Sequence, residues 1–146
     1  MRHEILIYNR IRRKIPRKLI TEIILKILKS LKSKQPVELA VLIVDKYEIK
    51  RLNKVWRNKN YIPDELSFGL NSRKSEVFAK NKSNVLRLGE IVINGDKISD
   101  KKYLTIILIH GLLHLLGYSH EQSAVQAKKM EKIEKKLLKH LCREKI

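Results

Sequence analysis

The sequence predicts one α/β (α+β) domain spanning residues 1–146, a small mixed sheet of about four strands covered by helices, and three observations lead there. Four short stretches, 3–9, 37–45, 65–70 and 85–94, carry β-type apolar patterning. Longer stretches with helical spacing of apolar residues stand around them, and strands alternating with helices build layered α/β architectures. A chain of 146 residues is long enough for one domain to bury a core without disulfides, and the lone Cys142 allows no internal one.

Each element has its own justification. Residues 3–9 alternate apolar and polar side chains, as a strand with one covered face does. Pro16 suits the first turn of the next helix, where Leu19, Ile20, Ile23, Ile24, Ile27, Leu28 and Leu31 form an apolar stripe with lysines opposite. The run 37–45 is apolar enough to be a more fully buried strand. Asp45 can cap a helix with Glu48 three residues on, and Ile49, Leu52, Val55 and Trp56 are expected to face inward, Trp56 as a core anchor. Pro63 ends that neighbourhood; strands 65–70 and 85–94 follow, separated by the polar, basic stretch 71–84, which reads as a loop. Ser99 or Asp100 can cap a helix that is apolar nearly all round and therefore central. A last helix from about 121 to 143 is expected to turn Val125, Met130, Ile133, Leu137 and Leu141 inward, pair Glu131 with Lys135 outside, and pack Cys142.

Thirty-three Lys and Arg against fifteen Asp and Glu give a net charge of +18, so a polyanion is the expected partner. The cations cluster, as Arg10, Arg12, Arg13, Lys14, Arg17 and Lys18, and again as Arg73, Lys74, Lys80, Lys82 and Arg87. With only 5% aromatic residues, binding would rest on phosphates rather than on extended base stacking. No apolar run approaches the roughly 20 residues that cross a bilayer, and the start Met-Arg-His-Glu lacks a signal-peptide core, so no membrane partner and a cytoplasmic location are expected.

The central helix carries the chemistry, as His110-Gly-Leu-Leu-His114-Leu-Leu-Gly117-Tyr-Ser-His120. Residues four apart share a helix face, so His110 and His114 can offer two imidazoles to one ion. Gly117 can take the left-handed conformation that ends a helix and let the chain bring His120 back to the same point. Three neutral ligands with one open position describe a hydrolytic site for a zinc-like divalent ion, with zinc the first choice; nickel, cobalt and copper also accept three imidazoles. His3 and His140, far along the chain, read as ordinary side chains, and Glu121 as a first-turn acid of the last helix.

The chain resembles the YbeY family of bacterial metal-dependent endoribonucleases. His110-Gly-Leu-Leu-His114-Leu-Leu-Gly-Tyr-Ser-His120 follows the family's H-G-x-L-H-L-x-G-Y-D-H. Leu52-Asn53 with Arg57 and Lys59, then Asp64-Glu-Leu-Ser67-Phe68, is similar to its L-N…R…K…T-D-V-L-S-F, and Leu88-Gly89-Glu90-Ile91-Val92-Ile93 to its L-G-D-I-V-I. Ser119 and Glu90 each replace an Asp, as does Asn60, and Pro63 replaces a Thr; Ser119 and Pro63 can alter support around the ion. The resemblance implies a mixed α/β fold, three histidines on a zinc-like ion beside a basic groove, and cleavage of single-stranded RNA. It also implies a role in small-subunit (16S) ribosomal RNA 3′-end maturation and ribosome quality control, with small-subunit proteins as partners. Arg57 and His114 are then the catalytic candidates, Lys59, Arg73, Lys74 and Arg87 RNA contacts, and Asp64, Ser67 and Ser119 supporting groups around the ion.

Chemically, an ion at the histidines can activate water or assist the RNA's own 2′-hydroxyl, and the sequence leaves the attacking group open. Arg57 can grip a phosphate with two N–H groups and neutralise charge in the transition state. Tyr61 can stack on a base or not. The competing classes are a metzincin-like metallohydrolase of another substrate and a non-catalytic ribosome-associated RNA-binding factor. Gly111 argues against the first, because it stands where the peptidase motif H-E-x-x-H has its general-base glutamate.

Overall fold

The computed structural model describes residues 2–70, 85–119 and 123–143. In chain order the described elements are β1 (Glu4–Asn9), α1 (Arg17–Ser30), β2 (Val37–Val44), α2 (Lys46–Arg57), β3 (Glu65–Gly69), β4 (Leu86–Asn94), a 3-10 turn (Gly95–Lys97), α3 (Lys101–Leu115) and α4 (Ala124–Arg143). The predicted mixed sheet is present, in the order β1-β2-β4-β3. β1 and β4 flank β2 in parallel, while β3 pairs antiparallel to β4 as an edge strand. Among the described residues no helix is long and apolar enough to cross a membrane.

Alternation along the strands sorts side chains between two cores. Val37, Leu39, Val41 and Ile43 of β2 join α1, α3 and α4 in the larger one, whereas Val44 and Val92 meet Ile49 of α2 on the opposite face. On α1 the expected stripe is buried at Ile20, Ile23, Ile24, Ile27 and Leu28, each burial stabilising by about 1.5–3 kcal/mol. α3 is the most enclosed helix, with Leu104, Ile107, Leu108, Leu112 and Leu113 all in the larger core. Its position places the histidines between sheet and α4.

Local chemistry sets the helix ends. The Asp45 carboxylate accepts from the Glu48 N–H at 2.8 Å, and Asp100, rather than Ser99, caps α3 by accepting from the Tyr103 N–H. Between β2 and β4 the register slips beside Glu38 and Leu39, and β4 passes through Gly89 with φ +125°. A Cβ on Gly89 would stand 2.1 Å from the Phe68 carbonyl oxygen, so only glycine lets β3 approach there.

Four inward assignments fail. Val55 and Trp56 are 60% and 69% exposed, because the second buried position of α2 is taken by Asn53, whose side-chain N–H donates to the Tyr61 carbonyl and rotates the helix accordingly. Val125 is exposed at the start of α4, which begins at Ala124 rather than near 121. Cys142 is exposed too, one step past the stripe of Met130, Leu137 and Leu141. The loop expected at 71–84 lies outside the described residues.

Candidate metal centre

α3 ends as its sequence requires. Gly117 has φ +99°, its N–H donates to the His114 carbonyl at 3.0 Å, and the Tyr118 N–H donates to the Leu113 carbonyl at 3.0 Å. These two bonds form a Schellman termination, so the chain turns sharply after His114. His110 and His114 share the face that one helical turn predicts, with Nε2 atoms 2.9 Å apart and rings at 67°. His120, Arg73 and Lys74 lie outside the described residues.

Two carboxylates that sequence reading missed flank His110. Glu134 of α4 places Oε2 at 3.0 Å from His110 Nδ1, and Glu65 of β3 places Oε1 at 3.7 Å from His110 Nε2. The first bond has a clear consequence. When Nδ1 carries the proton and donates it to Glu134, the Nε2 lone pair is left facing His114, the arrangement that metal-ligating histidines use. A signal for Glu134 exists in the sequence: it falls within the stripe of Met130, Leu137 and Leu141, and a charge on a buried face needs a partner.

Glu65 is held by its own strand. The Ser67 hydroxyl donates to Glu65 Oε2 at 2.8 Å and lies 3.3 Å from the Gly111 carbonyl oxygen, tying β3 to α3. Burial pushes the Glu65 carboxyl above its ordinary range; the Ser67 hydroxyl, His110 and Arg57 pull against it, while Asp64 reinforces the rise. Gly111 makes the close packing possible. A Cβ there would come 3.1 Å from the Ile91 side chain and 3.3 Å from Glu65 Oε2.

The other sequence candidates divide by location. Arg57 closes α2 with its charge within reach of Glu65, the carboxylate beside His110. Asp64 hydrogen-bonds Tyr103 in the first turn of α3 and, after burial, raises that phenol well above its ordinary value. Lys59 is exposed just past α2, and Ser119 is half-buried two residues beyond Gly117. Arg87 is elsewhere: Leu86 and Leu88 point to the α3 side, so Arg87 projects from the opposite face, where its Nε lies 3.6 Å from Glu38. Of the first basic cluster, Arg13 donates to the Gly95 carbonyl and Arg17 to the Ile7 carbonyl, which makes them braces of the sheet end. A cleft of about 720 Å³, bordered by Arg10, Trp56, Phe68 and Glu90, opens on the α2 face, away from the histidines.

The donor chemistry suits a divalent ion. Two imidazole nitrogens converge, one is backed by a carboxylate, and the helix reverses directly after them. Among the described residues no three His, Cys, Asp or Glu side chains make a metal-holding group, and His120 lies outside them.

Comparison with known proteins decides the family, since residues 7–142 match the one described as Endoribonuclease YbeY. The chain belongs to the YbeY family. It is 40% identical over 112 residues to the endoribonuclease YbeY of Thermodesulfovibrio yellowstonii, covering 70% of this chain and 66% of that protein. Against the Aquifex aeolicus endoribonuclease YbeY the identity is 34% over 116 residues, covering 73% and 72%. A chloroplastic endoribonuclease YBEY of Arabidopsis thaliana matches at 36% over 118 residues, 73% of this chain but 19% of that longer one. The chain thus spans just under two thirds of the Thermodesulfovibrio protein and somewhat more of the Aquifex one. A Thermotoga maritima protein solved in solution has a similar fold, with a TM-score of 0.58, 27% identity, and coverage of 92% of this chain and 86% of that one. Against the segment T-D-V-L-S-F that residues 63–68 resemble, Glu65 is a further departure, beside Asn60, Pro63, Glu90 and Ser119.

Proposed function

We propose that this chain is a metal-dependent endoribonuclease that cleaves single-stranded RNA, acting in the cytoplasm on the 3′ end of small-subunit ribosomal RNA in concert with small-subunit proteins. Membership of the YbeY family supports the nuclease activity. The observation that carries the metal dependence is the His110–His114 pair, its Nε2 atoms 2.9 Å apart and its first ring backed by Glu134. His110, His114 and His120 hold one zinc-like ion in this reading. When bound, such an ion supplies Lewis acidity to a phosphate oxygen and to the attacking oxygen.

The chain's own residues do the rest. Glu134 fixes the His110 ring so that Nε2 is the donor. Arg57 grips a phosphate oxygen pair and offsets negative charge as the phosphorus centre becomes five-coordinate. Lys59, Arg73 and Lys74 hold flanking phosphates, which the net charge of +18 favours and which salt weakens. The Arg87 position favours a separate phosphate contact on the other sheet face over a place beside the histidines.

The test combines elemental analysis with cleavage of single-stranded RNA, with and without chelator. About one ion per chain, and cleavage lost on chelation and in His110→Ala, His114→Ala and His120→Ala but kept in His140→Ala, is the expected result. Tight RNA binding with no cleavage that depends on His114 would make the chain a binding factor instead.

A further inference from the structure

Trp56 stands 69% exposed on the last turn of α2, although it is the largest apolar side chain of the molecule. Phe68 of β3 braces it in edge-to-face geometry, the ring centroids 6.4 Å apart and the planes at 69°. The indole is thus held in place yet left open to solvent. It walls the cleft of about 720 Å³ on the α2 face of the sheet, whose floor is formed by Leu42 and Val92. A concave site of that volume, apolar with a few polar groups, is of the size that takes a small ligand such as a nucleotide.

The polar groups of the cleft narrow the choice of ligand. Glu90 pairs with Ala40 on one side and Phe68 on the other, so its carboxylate rises from the sheet beside the aromatic wall. The other two acids of the cleft are engaged: Asp45 accepts the Glu48 N–H, and Glu48 accepts from the Arg51 guanidinium. Among the described residues the Glu90 carboxylate has no hydrogen-bond or ion-pair partner. An aromatic wall with an acceptor beside it matches a planar heterocycle whose edge carries N–H donors. Of the RNA bases, guanine alone presents two adjacent donors, N1–H and the 2-amino group, to both oxygens of one carboxylate. Adenine and cytosine set a ring-nitrogen lone pair beside their amino group, and uracil flanks its single N–H with carbonyls, so each brings an acceptor against the acid.

We propose that this cleft is a guanine subsite for single-stranded RNA, the base stacked on Trp56 with its Watson–Crick edge on Glu90. The inference deepens the RNA-cleaving reading above and rests on it. Trp56 directly precedes Arg57, so consecutive residues of α2 supply a base contact and a phosphate contact, and the subsite selects which stretch of strand Arg57 grips. Arg10, which lines the same cleft, supplies a cation for the nucleotide's phosphate. A single stacked base leaves most of the affinity with the phosphates. The carboxylate discriminates by repelling strands that offer it no pair of donors.

Trp56 is the chain's single tryptophan, so its fluorescence reports on this cleft. Stopped-flow mixing of the full chain with end-labelled single-stranded hexamers reads binding before cleavage, by label anisotropy and by Trp56 emission together. The probes are hexauridylate and the same hexamer with one central guanosine, adenosine or cytidine. The guanosine hexamer should bind about tenfold more tightly than the other three and quench Trp56, on the scale of one two-pronged base contact. Glu90→Gln should cut that advantage to under threefold while hexauridylate binds at least as tightly as to the wild type. Trp56→Leu should weaken the guanosine hexamer about tenfold, the scale of one lost base stack. Both side chains are exposed, and unchanged cooperative melting of the variants assigns these losses to the cleft. Four hexamers bound alike, with Trp56 emission unmoved, would overturn the guanine subsite alone and leave the cleft to a protein segment. Failure of every hexamer to bind would overturn the RNA reading and this inference together.

Discussion

The Nδ1 atom of His110 lies 3.0 Å from Oε2 of Glu134, a carboxylate delivered by a different helix, and this contact determines which imidazole nitrogen faces His114. Neither residue could orient the other without the packing of α3 against α4. A local motif on one helix is completed by a charge on the next. Replacing that charge tests the arrangement: Glu134→Gln keeps the shape but weakens the pull on the Nδ1 proton, and zinc affinity by chelator competition should fall about 10–100-fold. Unchanged affinity would assign ring orientation to packing alone.

Arg57 separates cleavage from binding. Arg57→Ala should slow single-turnover cleavage of single-stranded RNA roughly a hundredfold or more, while RNA affinity falls far less. Arg57→Lys should recover only part of the rate, because lysine keeps the charge and loses the two-pronged grip. Near-complete recovery would reduce Arg57 to a general phosphate contact.

Gly89 is the most sensitive backbone position described. Alanine there combines a φ of +125° with a Cβ 2.1 Å from the Phe68 carbonyl oxygen, so β3 must part from β4 to admit it. A loss of about 3 kcal/mol or more is expected in urea unfolding, beyond the usual range for one substitution.

His3 makes the first strand sensitive to acid. Its Nδ1 accepts the Val37 N–H at 2.9 Å, and burial, then the positive chain terminus, holds its pKa below the ordinary 6.5. The unfolded chain therefore binds more protons than the folded one below about pH 6.5, and the contribution of His3 to stability, full above that pH, drains away as pH falls through its folded value. Urea unfolding at pH 7 and pH 5 should show a smaller acid loss for His3→Gln than for the wild type. Equal losses would place the acid sensitivity elsewhere.

What the sequence determined by itself is what depends on neighbours along the chain. The Asp45 and Asp100 caps, the buried stripe of α1, the reversal at Gly117 and the shared face of His110 and His114 are all set within one or two helical turns, where spacing and side-chain chemistry suffice. The tertiary structure decided everything that depends on which element lies against which. Strand order β1-β2-β4-β3 is such a fact, and so is the face from which Arg87 projects. Trp56 looked like a core anchor because its spacing from Ile49 and Leu52 is helical, yet Asn53 took the inward position by bonding Tyr61 across the following loop. Glu134 and Glu65 came to His110 from 24 residues downstream and from a strand 45 residues upstream. Spacing along one helix cannot encode such approaches, because the energy that brings those groups together resides in the burial of the Ile- and Leu-rich faces around them.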